Sequence, residues 1–209
     1  MSETAVGEAN VRAATAETTE RKCPITIHTY WDPHVFLVST LRINQITADL
    51  TEELRHLVLW PDKPLDYVRL DEDKNGYHFG AFVPGRDKPV AVISVFFEPI
   101  PSVGSNDRTA SGNHGTTVRF RKFACHPEFQ GQGIGTSLLR YAASYCTSKG
   151  ATVFWCDARL SSSQWYEKRG LVPFGDTFFK DTVEYTRMKM MLVDSEADGQ
   201  LGSQCGVAS

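Results

Sequence analysis

Hydrophobic and polar residues along the middle of the chain form short blocks that switch between the two-residue period of strands and the longer period of helices. Blocks rich in β-branched and aromatic residues predict strands at 36–46, 78–83, 89–98, 118–125, 152–156, 171–174 and 183–192. Apolar residues at helical spacing predict helices at 134–145 and 161–168, and another that begins at Thr47 or Thr51 and ends at Val58. This order predicts an α/β fold with a mixed sheet, whose strands around the 134–145 helix run parallel.

The two ends of the chain lack this pattern. Residues 1–22 contain no Ile, Leu, Phe, Trp or Tyr, so they bury too little surface to offset the entropy lost on ordering. We expect flexible tails at 1–22 and at the acidic, Gly- and Ser-containing 194–209, which leaves one domain at 23–193. A loop rich in Gly, Ser and Asn at 100–116 is long enough to indicate a functional or disordered segment.

Composition narrows the class of protein. The 209 residues are 41% hydrophobic and 22% charged with a net charge of −3, which argues against a basic nucleic-acid-binding module. No apolar run approaches the ~20 residues of a membrane helix, and the N-terminus has no hydrophobic signal core. The five cysteines form no C-x-x-C pair, and no metal is expected. We expect a cytoplasmic protein with no nucleic-acid or membrane partner.

Three alternating glycines lie between the strand predicted at 118–125 and the helix at 134–145. Gly131, Gly133 and Gly135 allow close approach of a ligand to the backbone, and the helix N-terminus offers free N–H groups and a positive dipole end. The turn therefore predicts an anion site suited to phosphate. No Lys follows Gly135, which excludes a Walker A loop, and the spacing differs from the dinucleotide fingerprint G-x-G-x-x-G.

Two segments resemble motifs of the GNAT superfamily of acetyl-CoA-dependent N-acetyltransferases. The stretch Gln130-Gly-Gln-Gly-Ile-Gly135 resembles the motif Q/R-x-x-G-x-G/A, and Trp165-Tyr-Glu-Lys-Arg-Gly-Leu171 resembles the segment F-Y-E-K-x-G-F. The likeness spans about 90–190. It implies a mixed, mostly antiparallel central sheet with one splayed parallel pair, flanked by helices.

The resemblance also implies a coenzyme site. The pyrophosphate of acetyl-CoA, the co-substrate, would be held mainly by backbone N–H groups of Gln130, Gly131, Gln132, Gly133, Ile134, Gly135 and Thr136. The pantetheine arm would pair with the strand edge at Phe123, Ala124 and Cys125, whose N–H groups would also stabilise the thioester oxyanion. Ser161 would contact the pantetheine arm or cap the following helix. Arg121, Lys122 and Arg140 are close enough in sequence to assist with phosphate charge.

The catalytic groups follow from the same resemblance. Tyr166 matches the position of the general acid that protonates the leaving thiolate. Arg119 stands where some members have a glutamate base, and arginine cannot act as a base near neutral pH. Asp157, Glu98, His126 or a water chain could take that role, with Asp157 the best placed because it ends a central strand. Nothing near Cys125 in the sequence predicts the lowered pKa that a nucleophilic thiol needs.

These residues predict an N-acetyltransferase that moves acetyl from acetyl-CoA to a primary amine, of a small molecule, by direct transfer in a ternary complex. A protein lysine or N-terminal amine is the runner-up acceptor. A coenzyme-A-binding regulatory domain without catalysis is the alternative from another class, because of Arg119. A homodimer is left open.

Overall fold

A computed structural model describes residues 40–101 and 116–192. Seven strands form one sheet in the order β1-β2-β3-β4-β5-β7-β6. The strands are β1 (Arg42–Ile46), β2 (Tyr77–Phe82), β3 (Ala91–Phe97), β4 (Thr116–Cys125), β5 (Ala151–Arg159), β6 (Val172–Lys180) and β7 (Val183–Met191). The helices are α1 (Asp49–Leu59), α2 (Ile134–Ser148) and α3 (Ser163–Glu167). All neighbouring strands are antiparallel except β4 and β5, so the predicted mixed, mostly antiparallel sheet is confirmed.

Several predicted segments fall beyond these ranges. The tails at 1–22 and 194–209, the start of the first predicted strand and nearly all of the loop at 100–116 lie outside the described residues. Within the described ranges, no helix is long and apolar enough to cross a membrane.

The boundaries of some strands and helices differ from those predicted from the sequence. Strand β6 continues to Lys180, well beyond the predicted end at Phe174, because its outer half pairs with β7 through Phe178, Phe179 and Lys180. Helix α3 is shorter than predicted, since Leu160–Ser162 form a separate 3-10 turn before it. Two further 3-10 turns, Leu65–Val68 and Asp71–Asn75, were not predicted and lead from α1 into β2.

The two long helices pack on opposite faces of the sheet. On one face, here called the α1 face, Leu54 of α1 contacts Val92 of β3 and Ala124 of β4. On the other, the α2 face, buried residues of α2 such as Leu138 pack against Ile93 and other alternate residues of the strands. Burying alternate strand residues under different helices is what the two-residue period of a strand dictates.

A buried ion pair fixes α1 to the sheet. Arg55 is fully buried, and its guanidinium donates two hydrogen bonds, of 2.7 and 2.8 Å, to the carboxylate of Asp73. It also donates to the Ser94 hydroxyl at 2.7 Å, and the His78 ring bonds that hydroxyl and the Asp73 carbonyl. Burial opposes ionisation of Asp73, but the hydrogen bonds from Arg55 and from the Leu70 N–H hold the pKa of Asp73 below its usual range. A buried charge is retained when it is paired and hydrogen-bonded in this way.

Candidate active site

The central feature of the site is a gap between β4 and β5. The two strands pair in parallel only from Thr116 to Arg119, and beyond the pair Arg119–Trp155 they separate. The predicted splayed pair is therefore confirmed. A cavity of about 430 Å³ occupies the gap, with residues 120–125 of β4 and 156–159 of β5 on its two sides. Residues 58–60, at the end of α1, and Tyr166 also line it.

A β-bulge interrupts β4 beside this cavity. Val92 of β3 lies opposite Ala124, but Ser94 lies opposite Arg121, so Ile93 faces two residues, Lys122 and Phe123. Lys122 adopts a left-handed backbone conformation with φ of +52°. A bulge of this kind bends the strand and re-aims its side chains. The register of β3 against β4 places the extra residue at Lys122 or Phe123.

The glycine turn forms the N-terminus of α2, as predicted. Gly131 and Gly133 have φ of +75° and +82°, a conformation that favours glycine, and Gly133 is the N-cap residue without a side-chain cap. The turn is braced by two amide side chains: Gln130 donates to the Cys125 carbonyl at 2.9 Å and Gln132 to the Glu128 carbonyl at 2.8 Å. The uncapped N–H groups at this end of α2 can bind an anion.

The remaining predicted coenzyme residues lie around this turn. A Cβ on Gly135 would lie 3.3 Å from the Phe123 ring, so the helix approaches β4 closely. Ile134 is fully buried and acts as a core residue, and Thr136 stands in the first turn of α2. Phe123, Ala124 and Cys125 line the cavity, and so does Ser161 in the turn before α3. Ser162 is the N-cap residue of α3, so Ser161 does not cap that helix.

Tyr166 points into the cavity from α3. Its ring packs against Phe120, 5.7 Å between centroids, and Trp165, 5.1 Å between centroids. Within 40–101 and 116–192, the Tyr166 hydroxyl has no hydrogen-bond partner. Burial raises the pKa of Tyr166 well above its usual range, so the phenol carries its proton at neutral pH.

Cys125 lines the same cavity but is not an activated thiol. Burial raises the pKa of Cys125 to about 11, and its Sγ–H donates to the His126 carbonyl at 3.8 Å. The thiolate is the nucleophilic form, so the raised pKa disfavours Cys125 as a nucleophile at neutral pH.

Both carboxylates that the sequence suggested as bases are paired with Arg119. Its guanidinium donates to Glu98 Oε1 at 3.1 Å and to Asp157 Oδ2, and it stacks on the Trp155 ring, 4.8 Å from the centroid. Lys180 Nζ lies 2.7 Å from the same Asp157 oxygen. Asp157 lines the cavity, whereas Glu98 is not among the described residues that do. The sequence identified Arg119 as the departure from the family pattern, but not that it would join these two acids.

The basic residues near the glycines divide between two places. Arg121 pairs with Glu72 at 3.2 Å, and Lys122 Nζ lies 3.7 Å from the centroid of the Trp60 ring, so both are directed to the α1 face. Their expected assistance with phosphate charge stays a prediction, because these contacts direct both side chains away from the face on which α2 packs. Arg169, which the sequence did not identify, reaches the turn by donating to the Thr136 hydroxyl at 2.9 Å. It occupies the variable position of the F-Y-E-K-x-G-F segment, so the motif carried no signal for it.

Residues 43–171, more than half of the chain, match the family model of the "Acetyltransferase (GNAT) family". The chain belongs to the GNAT family. This confirms the resemblance inferred from the glycine turn, and it makes the protein an acyltransferase. A Bacillus subtilis (strain 168) protein named "Uncharacterized N-acetyltransferase YitI" is 25% identical over 140 residues, which are 66% of this chain and 87% of the relative.

Solved structures share the GNAT fold with this chain. A candidate N-acetyltransferase from Lactobacillus plantarum superposes with a TM-score of 0.59 at 18% identity, over 74% of this chain and 99% of the other. A GNAT family acetyltransferase from Elizabethkingia anophelis, solved with acetyl-CoA bound, superposes with a TM-score of 0.52 at 17% identity, over 73% and 99%. These likenesses support the fold.

Proposed function

We propose that this GNAT protein transfers acetyl from acetyl-CoA to the primary amine of a small molecule, by direct transfer in a ternary complex. The observation that carries the proposal is the cavity in the β4–β5 gap, which has the glycine turn of α2 near one end and Tyr166 in its wall. Its volume of about 430 Å³ falls in the range of small-molecule sites.

The coenzyme would lie along the unpaired edge of β4. The N–H groups of residues 131–136 would hold its pyrophosphate, and the pantetheine arm would pair with Phe123, Ala124 and Cys125 as an added strand. Backbone N–H groups at the bulge would donate to the thioester oxygen as negative charge develops on it. The acetyl-CoA bound in the Elizabethkingia anophelis relative supports this assignment of the ligand.

The chemistry would then be a single displacement. The amine nitrogen attacks the acetyl carbonyl carbon, the C–N bond forms and the C–S bond breaks. Tyr166 donates its phenolic hydrogen to the departing sulfur, and because burial raises the pKa of the phenol, this donation requires a proton to return to Tyr166 as the step is completed. The nitrogen loses a proton to a base, and the sum of the two proton transfers leaves the amide and free coenzyme A. Asp157 is the favoured base because it lines the cavity, with Glu98 as the second candidate.

A thiol-release assay with acetyl-CoA and a panel of small amines tests the proposal. Tyr166→Phe should lower kcat by about a hundredfold, as expected for the loss of a general acid, with coenzyme affinity retained. Tyr145→Phe is the matched control, because Tyr145 packs against Tyr77 and Phe79 away from the cavity. Coenzyme binding without turnover of any amine would overturn the proposal in favour of a regulatory domain. Failure of coenzyme A to raise the melting temperature would overturn coenzyme binding itself.

A further inference from the structure

Two cations stand on opposite sides of the splayed gap and meet at the end of α1. Lys122 projects from the bulge of β4, and its Nζ lies 3.7 Å from the centroid of the Trp60 ring. Arg159 ends β5, and its Nη2 donates to the Leu59 carbonyl at 3.1 Å. Leu59 and Trp60 are consecutive residues, so their contacts bring Lys122 and Arg159 to the same wall of the cavity. All four residues line it.

Neither cation is neutralised in the described part of the chain. Lys122 and Arg159 are each half-buried and form no ion pair with a described carboxylate. The acids closest to Lys122 already have cationic partners: Asp73 is bound by Arg55 and Glu72 by Arg121. A half-buried cation without a counter-ion has lost part of its hydration, and a bound anion would offset that cost.

The environment of Lys122 favours an anionic ligand. Burial, together with Arg55 and Arg121, lowers the pKa of Lys122 to about 8. These surroundings disfavour the ammonium form, which still predominates at neutral pH. A carboxylate bound beside Lys122 would favour the charged form.

The bulge of β4 is what brings Lys122 to the end of α1. Phe120 and Phe123 both pack on the α2 face, so two residues between them, Arg121 and Lys122, are left for the α1 face.

These cations are separate from the phosphate site. The glycine turn begins α2, which packs on the α2 face, whereas Lys122 and Arg159 contact the end of α1 on the opposite face. The cavity also has a single described carboxylate, that of Asp157, whose Oδ2 already accepts from Arg119 and Lys180. A polycationic acceptor would therefore meet two unneutralised cations and no described carboxylate free of a cationic partner.

We infer that the acceptor of this transferase is an amine that also carries a carboxylate, and that Lys122 and Arg159 bind that carboxylate while the amine faces the bound thioester. The inference rests on the proposed function, and it narrows the acceptor to amino acids and related zwitterions. Polyamines and aminoglycoside-like amines are excluded, because their additional ammonium groups would be repelled by the same pair.

The test compares common L-amino acids with their carboxamides in the thiol-release assay on the full chain. Each pair has the same side chain and differs in the charge of the carboxyl group. The carboxamide has the less basic amine, so intrinsic reactivity at neutral pH favours it, and a preference for the acid must come from binding. For accepted pairs, kcat/KM should be at least about tenfold higher for the acid, the size of one charge-assisted hydrogen bond.

Variants assign the preference to the two cations. Lys122→Met retains the aliphatic contact with Trp60, and Arg159→Gln retains a donor for the Leu59 carbonyl. Each should reduce the acid-to-carboxamide ratio by about tenfold, chiefly through KM for the acid. Lys149→Met is the matched control, since Lys149 also lies over a tyrosine ring, that of Tyr145, but at the far end of α2. The acid-to-carboxamide ratio of Lys149→Met should equal that of the wild type. Melting temperature and coenzyme A affinity of each variant report its folding.

The inference is overturned if kcat/KM for the acid is equal to or lower than that for the carboxamide in all accepted pairs. It is also overturned if this acid-to-carboxamide ratio is unchanged in both Lys122→Met and Arg159→Gln. If no amine releases thiol, the proposed function fails, and calorimetry on the chain saturated with coenzyme A then decides the inference. Tighter binding of amino acids than of their carboxamides, lost in Lys122→Met, would support a carboxylate site in a non-catalytic protein. Equal binding would overturn it.

Discussion

Arg169 holds Thr136, joining the end of α3 to the first turn of α2 through a hydrogen bond of 2.9 Å from its Nε to the threonine hydroxyl. The guanidinium also stacks on the Trp165 ring, 3.5 Å from the centroid, and donates to the Trp165 carbonyl at 2.7 Å. The Arg169 side chain therefore fixes the segment that carries Tyr166 relative to the first turn of α2, which follows the glycine turn.

We expect Thr136→Val, which keeps the shape and removes the acceptor, to weaken coenzyme A binding by about fivefold, the loss of one hydrogen bond of about 1 kcal/mol. Calorimetric titration of coenzyme A measures the affinity. Thr147→Val, at the other end of α2, where the hydroxyl donates to the Ala143 carbonyl at 3.1 Å, is the matched control. If Arg169→Met and Thr136→Val have additive effects on affinity, the two residues do not act as a unit.

The glycine turn offers a test that separates backbone strain from ligand binding. Gly133 and Gly150, at the two ends of α2, have φ of +82° and +79°. Alanine at either position should lower the free energy of unfolding by about 1 to 2 kcal/mol, because an L side chain is disfavoured there. Only Gly133→Ala should also weaken coenzyme A binding, and equal affinity losses in both variants would argue against a phosphate site at this turn.

The chemistry of Cys125 can be tested directly. Because its pKa is raised to about 11, the thiol should react slowly with iodoacetamide at pH 7.5 and progressively faster as the pH approaches 11. Cys125→Ala should keep kcat within about threefold of the wild type, since direct transfer needs no thiolate. An acetylated Cys125 peptide detected by mass spectrometry after rapid mixing with acetyl-CoA would contradict direct transfer.

The buried network around Arg55 predicts how stability depends on pH. Burial lowers the pKa of His78, so the native ring binds its proton at a lower pH than the ring of the unfolded chain, whose pKa is about 6.5. The unfolded state then holds more protons, and the free energy of unfolding should fall as the pH is lowered from 7.5 to 5.5. The stabilisation from Asp73 is lost only at lower pH, because its folded pKa is depressed.

Urea unfolding at the two pH values measures this dependence. His78→Gln should show a smaller loss between pH 7.5 and 5.5 than the wild type, and an identical loss would show that His78 does not titrate in this range. Asp73→Asn should lower the free energy of unfolding by about 3 to 5 kcal/mol at pH 7.5, because it leaves the Arg55 charge buried and unpaired.

The sequence predicted the order of the elements, the parallel pair and the glycine turn, because each depends on local signals: period, β-branched content and glycine spacing. It missed what depends on contacts between distant segments. Arg119 meets Asp157 across two strands, and Arg159 meets the Leu59 carbonyl across 100 positions of chain. It also suggested from nearness in sequence that Arg121 and Lys122 assist with phosphate charge, and nearness in sequence does not reveal the sheet face to which a side chain points.

The extra residue at the bulge changes which residues of β4 lie on each face of the sheet. Before it, odd-numbered residues of β4 such as Arg119 and Arg121 lie on the α1 face; after it, the even-numbered Ala124 does. Removing Lys122 would restore simple alternation and leave Phe120, Phe123 and Ala124 on their present faces, so the packing of both helices would be kept. The deletion would remove the local bend of β4 and one of the two cations at the end of α1. The extra residue is therefore an addition that shapes the site and is not required by the packing of the sheet.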